Sequence, residues 1–151
     1  MPEKTSKLSV DAPHPLVKKV IAGKPPIAEL IGFDLEDIGD GRAVFLLQAG
    51  SQHANPMGTL HGGVLCDLAD AAMGIAFATT LAPDDSFTTM SLNINFFRPV
   101  WQAGLRAKAR VINRGKNVGY LECDVIDEND RTIAKANSTC FVLRKERARA
   151  S

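Results

Sequence analysis

An excess of either charge, long apolar runs and paired cysteines are all missing from this 151-residue chain. Its 18 Lys and Arg stand against 17 Asp and Glu, a formal net charge of +1. A nucleic-acid or anionic-membrane partner usually requires a strong basic excess, so neither is expected. No apolar run approaches the roughly 20 residues of a membrane helix. The first 30 residues mix prolines with charges and lack the apolar stretch of a signal peptide. Cys66, Cys123 and Cys140 lie 57 and 17 residues apart and form no CxxC pair. They read as reduced, buried thiols, with no pattern for metal. The expectation is one cytoplasmic globular domain with enough chain to bury a core.

The chain divides by composition. Residues 1–25 are polar and proline-containing and end in a short helix at Pro15–Ala22, which Pro15 suits and Gly23 can stop. The domain proper is expected over 26–144, and 145–151 is a charged tail. A second short helix is expected at Pro25–Leu30. Phe33–Ile38 and Arg42–Ala49 read as strands joined by the Gly39-Asp40-Gly41 turn. Gly63 to about Leu81 is rich in Ala and Leu, with Asp67 and Asp70 as its charges. As a helix it is apolar around most of its circumference, so protein must surround it. A period of two marks strands at Thr88–Arg98, Leu105–Ile112, Val118–Ile126 and Thr132–Leu143. In the first of these, Met90, Leu92, Ile94 and Phe96 share one face. The fold class is therefore α+β, a long helix embraced by a curved antiparallel sheet whose charged face meets water.

Chemistry concentrates in His53–Asp70. Gly62 and Gly63 stand where loop becomes helix, where free N–H groups and the helix dipole favour an anion or oxyanion. The alternative is that two glycines serve only the turn. Asp70 lies two turns into a helix suited to burial, and a buried carboxylate is costly unless it is paired or working. Either it faces a subunit boundary or caps a neighbour, or it is a general base or nucleophile. Asn55 can orient water or simply form the turn at Pro56. His61 has no second ligand at metal spacing, and hydrogen bonding of its loop is its expected role. His14 and His53 carry no argument. Arg98, Arg114 and Lys116, at strand ends and turns, can meet a phosphate or merely solvate the surface. There is no GxSxG elbow and no dinucleotide fingerprint.

The run Asn55-Pro56-Met57-Gly58-Thr59-Leu60-His61-Gly62-Gly63, with Asp70 nine positions after His61, resembles the hotdog-fold acyl-CoA thioesterases of the phenylacetate-degradation (PaaI-type) branch. Gly41-Arg42-Ala43, Asn93 to Pro99 and Gly115-Lys116 extend the resemblance over about residues 26–143. It implies a hotdog fold that hydrolyses an acyl-CoA to a free acid and CoA, with no cofactor beyond the CoA of the substrate. Gly62 would polarise the carbonyl through its N–H, Asp70 would activate water or attack directly, and Asn55 would position water or substrate. Thr89 falls where some members have a serine hydroxyl near the scissile bond. Gly63, Arg98, Arg114 and Lys116 fall to the CoA side, and His61 to the catalytic loop. A homodimer or a dimer of dimers with sites at the subunit interface is implied too. A non-catalytic acyl-CoA binder on the same fold is the alternative.

Overall fold

A computed structural model describes residues 13–145; what was expected of residues 1–12 and of most of the charged tail lies outside the described residues. Two short helices, α1 (Pro15–Ala22) and α2 (Pro26–Ile31), precede strands β1 (Phe33–Gly39) and β2 (Arg42–Ala49). A single 3-10 turn at Ser51–His53 leads through a loop into α3 (Gly62–Ala78), and β3 (Ser86–Phe96), β4 (Ala103–Arg114), β5 (Val118–Ile126) and β6 (Thr132–Leu143) follow. The six strands form one antiparallel sheet in the order β1-β2-β4-β5-β6-β3. The short link from β3 to β4 therefore does not join neighbours. It crosses from the edge beyond β6 back to the middle of the sheet.

Packing explains why α3 can be so apolar. Leu65, Leu68, Ala72, Met73, Ala76 and Phe77 are buried against the concave face of the sheet. The expectation that protein surrounds the helix is corrected at one stripe, because Gly63, Asp67 and Asp70 are exposed in the single chain. At 100° per residue these positions recur on one side, turned away from the sheet. Thr79 and Thr80 end the helix by donating their hydroxyls to the carbonyls of Ala76 and Phe77, each at 2.7 Å. The helix thus stops short of Leu81. No described helix is long and apolar enough to cross a membrane.

The convex face carries the ionic side chains that its alternation implied. Arg110 reaches Glu122 at 2.8 Å and Asp124 at 2.9 Å, and Arg106 pairs with Glu36 at 2.7 Å. Such exposed pairs each add little, about 0–1 kcal/mol. Toward one end the same face turns apolar, with Ile112, Val118, Tyr120, Phe141 and Leu143 exposed.

The alternation in β3 breaks at Met90. Thr89 pairs with Cys140 and Ser91 with Thr139, leaving Met90 as the extra residue of a bulge. Met90 is 63% exposed rather than on the core face with Leu92 and Ile94. The bulge changes the phase of the strand, so Phe87 and Thr89 turn inward together with Leu92 and Ile94.

Close packing also fixes a glycine. A Cβ placed on Gly119 would lie 2.3 Å from the ring of Phe77. Gly119→Ala is expected to cost about 1–3 kcal/mol by overpacking, read as a lower urea midpoint with an unchanged slope. Unaltered stability would show that the Phe77 ring moves freely.

Candidate active site

The loop before α3 is tied down by its own backbone and by one side chain. Asn55 Oδ1 accepts from Met57 N at 3.0 Å and Thr59 N at 3.1 Å, while Nδ2 donates to Thr59 Oγ1 at 2.8 Å. Leu60 N donates to the carbonyl of Val100 at 2.6 Å and His61 N to that of His53 at 2.8 Å. The Asn55 side chain therefore builds this turn, with one amide hydrogen left over for water or substrate.

At the helix start, His61 Nδ1 accepts from Gly63 N at 2.9 Å. That cap occupies the Gly63 N–H, and among the described residues nothing accepts from Gly62 N. A Cβ at position 62 would lie 2.9 Å from the ring of Phe96, whose half-exposed side chain would have to shift to admit it. One N–H at the positive end of the α3 dipole is thus left for an incoming oxygen.

Asp70 sits two turns further on. Thr89 Oγ1, turned inward by the bulge, donates to its Oδ1 at 3.4 Å and also lies 3.8 Å from Cys140 Sγ. Desolvation raises the Asp70 carboxyl above the ordinary carboxylate value, the charge of Asp67 adds to this, and the Thr89 hydroxyl opposes it. A base with a raised pKa is better matched to taking a proton from water.

The cationic candidates lie apart. Arg98 is exposed just after β3, beside the start of α3, and lines a cavity of about 400 Å³ with Trp101 and Arg131. Arg114 is held past the other end of α3, where Nε donates to Thr80 Oγ1 at 2.9 Å and the guanidinium stands 5.1 Å over the Phe77 ring. Lys116 is exposed in the turn after β4. Seventeen helical residues separate the two ends, about 25 Å at 1.5 Å per residue. Asn55, His61 and Gly62 lie together at the start of α3 and Asp70 with Thr89 further along it, while Arg98 lines a separate cavity and Arg114 with Lys116 lie beyond the far end.

The thiols offer no nucleophile. All three are free, and burial pushes Cys123 up to about 12 and raises Cys140. Cys66 is only partly buried, and its pKa is raised by desolvation and by Asp67 and Asp70. Among the described residues no three His, Cys, Asp or Glu side chains gather as a metal site would need.

Two residues with no sequence argument prove structural. His14 is buried, with Nδ1 accepting from Leu16 N at 3.1 Å and Nε2 lying 2.8 Å from the carbonyl of Asp85. His53 is likewise buried, with Nδ1 accepting from Gly50 N at 3.1 Å and Nε2 lying 2.6 Å from the carbonyl of Ile31. In each ring the accepting nitrogen is unprotonated and Nε2 donates. The two histidines pin the first end of α1 and the last residue of α2 to the rest of the fold. Neither the cap that His14 provides nor the distant partners of the two rings carried a signal in the sequence.

The family model of the thioesterase superfamily matches residues 57–134, more than half of the chain. The chain belongs to the thioesterase superfamily. The 1,4-dihydroxy-2-naphthoyl-CoA hydrolase of Listeria monocytogenes is 31% identical over 122 residues, covering 80% of this chain and 98% of that protein. The acyl-coenzyme A thioesterase PaaI of Escherichia coli is 31% identical over 109 residues, covering 71% of this chain and 75% of that protein. The solved structure of the Escherichia coli PaaI protein from the phenylacetic acid degradation operon superposes with a TM-score of 0.76 at 24% identity. It covers 83% of this chain and 90% of that one. The expected PaaI-type resemblance and the hotdog architecture are borne out, and so is the assignment as a thioesterase.

Proposed function

We propose that the chain hydrolyses acyl-CoA thioesters in the cytoplasm, with Asp70 as general base or nucleophile and the Gly62 N–H receiving the carbonyl oxygen. The observation that carries this reading is the Asp70–Thr89 pair, a carboxylate with a raised pKa on the wall of an apolar cavity. As base, Asp70 takes a proton from water as the water oxygen attacks the carbonyl carbon. The tetrahedral oxyanion forms against Gly62 N–H, and its collapse expels the CoA thiolate, which takes up a proton. As nucleophile, Asp70 would first displace CoA to form a mixed anhydride that water then opens at the Asp70 carboxyl carbon. The two differ in whether solvent ¹⁸O enters Asp70 in a single turnover. CoA is part of the substrate and no further cofactor takes part. Release of free thiol from a panel of CoA thioesters tests the reading. A chain that binds CoA thioesters yet releases no thiol would instead be the non-catalytic binder.

The geometry favours a site built from two chains. Gly62 and Asp70 are eight residues apart on α3, about 12 Å along its axis. Attack on a carbonyl held at Gly62 requires contacts near 3 Å, which an Asp side chain of the same helix does not supply. Antiparallel α3 helices about a two-fold axis would bring the exposed Asp70 of one chain to Gly62 of its partner. Arg114 and Lys116 of one chain would then approach the Arg98 end of the other. In this arrangement an Asp70→Asn chain mixed with an Asn55→Ala chain, each inactive alone, regains roughly a quarter of wild-type activity by random re-pairing. Verified mixed dimers as inactive as their folded parents would refute a shared site.

A further inference from the structure

Helices α1 and α2 lie ahead of the matched family region, residues 57–134, so family membership leaves their role open. They form one wall of a cavity of about 370 Å³. Leu16 and Val20 of α1 face it, opposite Phe33, Phe45, Ile75 and Phe87. Its polar and charged side chains are Asp70, Thr89 and Lys19. Asp70 and Thr89 are hydrogen-bonded at 3.4 Å, so the acid of the candidate site and the apolar space share a wall. The helix pair is not loosely laid on. Val17 is fully buried, and His14 and His53 fasten the two ends.

We infer that α1 and α2 are a specificity cap over the cavity that receives the acyl part of the substrate, and that Leu16 and Val20 limit that part to about a dozen non-hydrogen atoms. The inference rests on the thioesterase reading. Size sets the limit. At roughly 30 Å³ for each water-sized group, the cavity holds on the order of twelve non-hydrogen atoms. Chemistry sets the class, because an apolar lining rewards each buried methylene with about a fourfold gain in binding. The cap residues nearest the space, Leu16 and Val20, set its depth.

The test is a series of CoA thioesters from acetyl to hexadecanoyl, together with phenylacetyl and benzoyl, assayed for kcat/KM on the full chain. In the wild type kcat/KM rises from acetyl to decanoyl and falls again at hexadecanoyl. Val20→Trp fills the cavity and lowers the ratio of phenylacetyl to acetyl kcat/KM tenfold or more. Equal losses across the series, or no change, would overturn the cap. Should Val20→Trp not fold, Val20→Ala carries the test by moving the preferred chain length upward, and an unmoved profile overturns the inference. If the wild type hydrolyses no thioester, the hydrolytic reading fails but the cavity remains testable. Calorimetry with the non-hydrolysable thioethers of the same series should then show affinity rising with chain length and flattening in Val20→Trp. Affinity independent of length in the wild type would overturn the cap as well.

Discussion

Asp70→Asn is expected to lower the turnover of a good CoA thioester by about a hundredfold or more while leaving KM within a few-fold. The amide keeps the shape and the contact with Thr89 Oγ1 but has lost the basic oxygen. Asp67→Asn, one turn back on the same exposed stripe, is the control and should be mild. A folded Asp70→Asn protein within a few-fold of wild type would move the chemistry elsewhere. The pH profile carries the same information. A base works ionised, so kcat falls as pH drops through the Asp70 pKa, which desolvation holds above the ordinary carboxylate value of 3.8. The effect on stability has the opposite sense. Because the folded chain holds this proton more tightly than the unfolded one, the benefit is present below 3.8 and is lost as pH rises through the raised pKa. At neutral pH the ionised carboxylate therefore burdens the fold, and Asp70→Asn should melt no lower than wild type. The site trades stability for reactivity.

The largest loss of stability is expected from Phe77→Ala, about 3–5 kcal/mol. Phe77 is fully buried, meets Phe87 edge-on with ring centroids 5.4 Å apart, and lies under the Arg114 guanidinium. Truncation opens a void between α3 and β5 and strands the cation, whose contacts with Thr80 also hold the end of α3. Chemical denaturation should show a lower midpoint. Since Gly119 is shaped around this ring, Phe77→Leu combined with Gly119→Ala should cost less than the sum of the two. Strict additivity would show that the two sites do not touch in solution.

Local pattern made much of this legible. Arg42–Ala49, Val118–Ile126 and Thr132–Leu143 begin and end in the structure where alternation meets a turn in the sequence. The start of α3 was marked by the glycine pair and differs by one residue. Met90 misleads because a bulge depends on the partner strand, and nothing within Thr88–Leu92 announces it. The full burial expected of Asp70 fails for a related reason, although its carboxyl is partly desolvated. The helix is apolar enough to be enclosed, yet one stripe of it faces away from its own sheet. His14 and His53 were silent because their partners lie 71 and 22 residues away. Arg114 looked like a surface cation, and only the return of β4 beside the end of α3 reveals its stacking on Phe77.

The bulge has a consequence for assembly control. As the outer strand beyond β6, β3 presents an edge of backbone N–H and C=O groups that its own sheet does not use. A flat edge of this kind is a template on which chains can stack without limit. Met90 interrupts the regular spacing, leaving 91–96 as a short uninterrupted ladder and 86–89 out of step with it. A single well-matched neighbour can still use the longer stretch, whereas a straight foreign strand would lose register after a few residues. A one-residue irregularity that aims a hydroxyl at the acid thus also shortens the regular edge open to a foreign strand.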